Sequence, residues 1–101
     1  MSFYERPLEP IYSKKKSFYN AARIRFFDRG YRVLVSYTTE VCCCNPQTGY
    51  VELLCLEEDL TSTTTRHLRE FLAQSGFKGL AKKSKAKIVE YLKECTAFER
   101  I

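Results

Sequence analysis

Five cysteines and one histidine are the side chains of this 101-residue chain best suited to chemistry. Cys42, Cys43 and Cys44 are consecutive, Cys55 follows, and His67 is the only group whose ordinary pKa lies near neutrality. Thiolates and an imidazole can hold zinc, which asks for four ligands in a tetrahedron. Cys42, Cys44, Cys55 and His67 are the candidate set, because alternate residues of a strand share a face. No Cys-x2-Cys pair recurs at zinc-finger spacing, and five is an odd number for a disulfide framework. The reading taken is therefore thiols acting as small apolar side chains, with Cys43 in the core near Cys55 and no metal or cofactor. A cysteine–histidine hydrolase needs a positioned thiolate, a base and an oxyanion hole. No segment has the look of a nucleophile-bearing turn, so no catalytic residue is assigned, the protein is read as non-enzymatic, and His67 is expected to pack or bond against the sheet.

The cations are the second candidate group. Lysine and arginine number 17 against 12 acidic residues, a net charge of +5. Such a balance suits nucleic acid or an acidic protein surface. Lys82, Lys83, Lys85 and Lys87 flank the start of the last expected helix, where they oppose the helix dipole. Lys14, Lys15 and Lys16 form a run near the N-terminus, and Arg23 and Arg25 lie on a strand, with Arg32 on the opposite parity. Lys82, Lys83, Lys85, Lys87, Lys14, Lys15, Lys16, Arg23 and Arg25 are the expected partner-binding set. Tyr19, Arg23, Arg25, Phe27 and Tyr31 also interleave as a stacking platform for single strands would, although the signature of sheet-based RNA binders is missing.

The elements that must position these groups form one domain. Residues 1–16 read as a tail, broken by Pro7 and Pro10, that lies along the domain or waits for a partner to order it; residues 17–101 read as the folded unit. Alternation from Phe18 to Phe27 predicts a strand, with Asp28-Arg29-Gly30 as its turn. A second strand runs from Tyr31 through Val41 into the cysteines. After the turn at 45–49, a third carries Val51, Leu53 and Cys55, with Cys43 opposite Val51. A helix follows, capped by Asp59, Thr61 or Ser62 and stopped by Gly76, with Arg66 and Glu70 as an i,i+4 pair. A loop spans 77–83, and Ser84 opens a last helix with an apolar stripe of Ile88, Tyr91, Leu92 and Cys95. The expected fold is α+β: a three-stranded antiparallel β-meander followed by two helices packed on one face. The start of the chain lacks the pattern of a signal peptide, and no apolar run is long enough to span a membrane. The expected location is the cytosol.

Three segments carry a resemblance: Lys16-Ser17-Phe18-Tyr19-Asn20-Ala21-Ala22, Ser36-Tyr37-Thr38-Thr39-Glu40-Val41 and Thr63 to Phe77 (TTTRHLREFLAQSGF). Together they resemble a family of unknown function found in small proteins of phages and mobile elements. That family more often has Gly-Lys where this chain has Asn20-Ala21, and it lacks the triple cysteine. The resemblance implies no catalytic residue. It implies a small accessory protein acting in a host bacterial cytosol by binding. The expected partner is a host protein, a CRISPR effector or other defence nuclease, with the protein acting as an anti-CRISPR type of inhibitor. The alternative is direct binding to nucleic acid.

Overall fold

A computed structural model describes residues 2–99, with side chains described to Glu94. Strands β1 (Phe3–Pro7), β2 (Ala22–Phe27), β3 (Arg32–Ser36), β4 (Thr39–Asn45) and β5 (Tyr50–Leu53) form one antiparallel sheet in chain order. Helices α1 (Ser62–Gln74), α2 (Lys78–Ala81) and α3 (Lys85–Glu99) follow. The fold is α+β, but the expected three-stranded meander with two helices is overturned: there are five strands and three helices among the described residues.

Two features account for the extra strands. The stretch expected to run unbroken from Tyr31 to the cysteines folds back at Tyr37-Thr38, so that Ser36 pairs with Thr39. Tight hairpins usually need glycine or asparagine for their positive φ, and here Tyr37 adopts it, at 56°. Its backbone is held on both sides, the N–H donating to Ala21 O at 2.6 Å and the carbonyl accepting from Arg23 Nη2 at 2.7 Å. The fifth strand comes from the segment read as a tail. Phe3–Pro7 pairs with β2 from Phe3↔Phe27 to Pro7↔Arg23, an outer position where proline is tolerated. Leu8 then turns into the core, its N–H bonded to Ala22 O at 2.9 Å.

The cysteine register also differs from expectation. Cys42, Cys43 and Cys44 face Leu53, Glu52 and Val51, one residue away from the expected pairing. A bulge is the cause: Leu34 pairs with Cys42 but Val35 with Glu40, leaving Val41 as the extra residue. The bulge lets the adjacent Val41 and Cys42 both be fully buried. Cys42 and Cys44 thus belong to the core, while Cys43 sits half-buried on the other face, the reverse of the expected assignment.

Ala22, Ile24, Leu34, Cys42, Cys44 and Val51 of the sheet share one core with Leu68, Phe71 and Leu72 of α1 and Ile88, Val89 and Leu92 of α3. Tyr91, expected in the stripe of α3, is exposed, and the side chain of Cys95 lies outside the described residues. The ends of α1 follow its sequence. The Thr61 hydroxyl accepts from the Thr64 N–H, and Gly76 at φ 92° closes the helix. There, Phe77 N–H bonds Leu72 O and Gly76 N–H bonds Ala73 O, which satisfies carbonyls the helix leaves open. Within the expected 77–83 loop, α2 adds a single turn. No helix of the described residues is long and apolar enough to cross a membrane.

Candidate functional site

Two polar pins fix α1 in place. His67 is 2% exposed, and its Nδ1 lies 2.8 Å from Ser36 Oγ, which lies 3.2 Å from Thr64 Oγ1. The Phe18 ring packs edge-on to the imidazole. Burial, and then the positive charge of Arg66, hold the His67 pKa below its ordinary value, which favours a neutral ring. A serine–histidine contact of this length invites a nucleophilic reading, but both side chains are sealed in the interior, where no substrate reaches them.

Glu70 is the second pin and was misassigned from sequence. It forms no ion pair with Arg66. Its carboxylate, also 2% exposed, accepts from the backbone N–H groups of Ile11, Tyr12 and Ser13 at 2.9–3.2 Å and from Gln74 Nε2 at 2.7 Å. Burial pushes its pKa up. The bonds from Gln74 and the three amides outweigh burial and hold it below the ordinary carboxylate value. Gln74 also donates to Glu9 O. Residues 9–13 are thereby strapped along α1.

The candidate zinc ligands do not converge. Cys42 and Cys44 are core residues, His67 is committed to Ser36, and no three His, Cys, Asp or Glu among the described residues are grouped as a metal site. Burial raises the pKa of all four described cysteines, Cys43 to about 11, so these thiols are poor nucleophiles near neutral pH.

The candidate cations fall into separate environments. Arg23 and Arg25 are engaged with carboxylates: Arg23 with Glu5 at 3.3 Å, and Arg25 with Glu5 at 3.0 Å and Glu40 at 3.1 Å. Arg32 is on the other face, over the Phe26 ring. The expected stacking platform is split, because Tyr19 lies in the turn before β2 while Phe27 and Tyr31 lie at its far end. Lys14, Lys15 and Lys16 are exposed just beyond the Glu70 strap. The lysine group around α3 divides. Lys83 and Lys87 border a recess with Glu90 and Glu94, and Lys87 pairs with Glu90 at 3.8 Å. Lys82 and Lys85 instead enter a basic trough across α1.

That trough has two lobes which meet at Arg66 and Arg69, one turn apart on α1. One lobe, of about 390 Å³, lies between the N-terminal strap and α2 and adds Tyr12, Lys78 and Lys82. The other, of about 430 Å³, adds Ser62, Thr65 and Lys85. Arg69 is oriented by its Nη1, which donates to Ala81 O at 2.7 Å and Lys83 O at 2.5 Å. Lys85 Nζ donates to Leu60 O. The one carboxylate lining either lobe is Glu70, and its oxygens already accept from four donors. With five cations (Arg66, Arg69, Lys78, Lys82 and Lys85) against that one ionised carboxylate, the trough is net positive and attracts anions. Sequence reasoning missed Tyr12, Arg66, Arg69 and Lys78; the available sign was the i,i+3 spacing of Arg66 and Arg69 on the polar flank of a mostly buried helix.

The molecule is thus a small α+β domain with a basic trough carried on its central helix. The family of unknown function DUF8033 matches residues 6–90, and the chain belongs to it. The match starts within β1, so the family's domain includes the N-terminal strap. No curated protein and no solved structure matches the chain.

Proposed function

We propose that this is a non-enzymatic binding protein whose working surface is the trough over Arg66 and Arg69, and that the trough takes the phosphate backbone of a nucleic acid strand. The observation that carries this reading is the meeting of two cation-lined lobes at one arginine pair, with five cations against a single carboxylate, Glu70, that is turned to the backbone amides of the strap. Phosphate contacts of this kind give affinity that falls with salt, with a slope of about −0.7 per contact for single strands. Fluorescence anisotropy of labelled single-stranded and duplex DNA, at low and near-physiological salt, tests it. About four contacts predict a log–log slope of roughly −3 on the single strand. Absence of binding even at low salt contradicts the proposal.

A second reading is favoured by a different observation. Phe3 and Tyr4, 47% and 60% exposed, lie on the edge strand β1, a surface suited to a protein partner. Together with the resemblance to small phage and mobile-element proteins, this supports docking on a host nucleic-acid-handling protein, as an anti-defence inhibitor would. That reading predicts binding to a purified CRISPR effector or other defence nuclease that survives loss of Arg66 and Lys82 and is abolished by Tyr4→Asp.

A further inference from the structure

The lobe between the N-terminal strap and α2 is built differently from the rest of the trough. Its floor includes the buried Ala73 and Ala81, and its wall is Tyr12. Four cations line it: Arg66, Arg69, Lys78 and Lys82, with Lys78 Nζ 4.6 Å from the centre of the Tyr12 ring. A phosphodiester in a chain carries a single negative charge and is served by one cation. A phosphomonoester carries about −1.5 to −2 at neutral pH and offers three strong acceptor oxygens. A lobe lined by four cations and one carboxylate has the excess positive charge that suits the monoester better than the diester.

The lobe is also larger than an isolated phosphate needs. At about 390 Å³ it falls in the range of small-molecule sites, roughly 300–1,000 Å³. The apolar floor and the aromatic wall leave room for the sugar and base that follow a phosphate, and base–aromatic stacking tolerates any base. The backbone that carries the wall is fixed in advance, since Glu70 holds the Tyr12 and Ser13 amides from the same helix that bears the arginines. Glu70 is in this sense a positioning residue, and its single negative charge is outweighed by the four cations of the lobe.

We infer that this lobe is a pocket for a nucleotide bearing a phosphomonoester, an inference that rests on the trough being the binding surface. Two sources supply that chemistry, the phosphorylated end of a strand and a free mononucleotide. The test uses the intact chain and three internally labelled 12-mers of one sequence, carrying a 5′-phosphate, a 3′-phosphate or hydroxyls at both ends, with 5′-AMP as competitor. A phosphorylated end is expected to bind about tenfold tighter than the hydroxyl strand, the scale of one added charged hydrogen bond. Tyr12→Ala and Lys78→Gln are expected to bring that ratio close to one, with circular dichroism melts showing that the variants fold. Displacement of the phosphorylated strand by 5′-AMP assigns the site to free nucleotides as well as to strand ends, and tight strand binding without displacement assigns it to ends alone. Equal affinity for all three strands, with no displacement by 5′-AMP, overturns the pocket and leaves the trough standing. Failure of every strand to bind overturns both.

Discussion

Arg23 and Arg25 lie on β2 within 3.0–3.3 Å of Glu5 and Glu40, whereas Arg66 and Arg69 lie on α1 beside a carboxylate already occupied by four N–H donors. The two pairs have the same charge and similar spacing. On the sheet, the guanidiniums lie across the open face and are neutralised there, which fits a role in covering Val33 and Val35. On the helix, the carboxylate that lines the trough is turned to the backbone amides and pairs with neither arginine, so the surface keeps a net positive charge facing solvent. Net charge alone does not separate these cases. What matters is where each cation's counter-charge is spent.

That contrast depends on Glu70, and removing it should produce the largest change. Glu70→Ala takes the charged acceptor from three part-buried amides and should cost about 2–3 kcal/mol of stability, the scale of hydrogen bonds to a charged group. Urea denaturation measures this, and a loss below about 1 kcal/mol would show that the strap is not held by the carboxylate. Next in size is binding. At about 1 kcal/mol for each phosphate contact, Arg66→Ala with Lys82→Ala should weaken single-stranded DNA by roughly 30-fold, while Arg23→Ala with Arg25→Ala should change affinity less than about twofold. Comparable losses from both pairs would erase the distinction between the two regions.

Acid sharpens the comparison from the side of the pins. The His67 pKa is lowered on folding, so its contribution is complete above its ordinary value of about 6.5 and declines as pH falls below that. The Glu70 pKa is also lowered; its contribution is complete above about 4.3 and is lost as pH falls through the lower folded value. Unfolding free energy measured from pH 8 downward should therefore begin to fall below about 6.5 and fall further below about 4.3. His67→Gln should remove the loss that begins near its ordinary value, and Glu70→Gln the further loss that begins at lower pH. A single acid transition unaffected by either change would contradict these assignments. The smallest effect belongs to the sheet ion pairs: Glu5→Gln should cost under about 1 kcal/mol, as exposed pairs usually do.

Local signals in the sequence were followed where the chain obeys local rules. Thr61, Gly76 and Ser84 sit at helix ends and cap or stop them as their types suggest. Signals failed where tertiary contacts overrode type. Tyr37 takes a turn conformation that its side chain does not advertise, because its backbone is bonded to Ala21 and Arg23. The Val41 bulge shifts the cysteine register without any glycine to mark it. β1 was hidden because its exposed residues show no alternation of apolar and polar types. The trough was illegible for another reason: Tyr12 lies far along the chain from Arg66, Lys78 and Lys82 and meets them only when the strap is tied to α1. The lysine run around α3 was visible, but only the fold separates Lys82 and Lys85 from Lys83 and Lys87.

The salt dependence of single-stranded DNA binding tests the central claim most directly, compared between the wild-type protein, Arg66→Ala/Lys82→Ala/Lys85→Ala and Arg23→Ala/Arg25→Ala. The trough account predicts that the helix-side triple variant loses about two units of log–log slope, at about 0.7 for each lost contact, while the sheet variant keeps the wild-type slope. An unchanged slope in the triple variant, or an equal loss in the sheet variant, would contradict it.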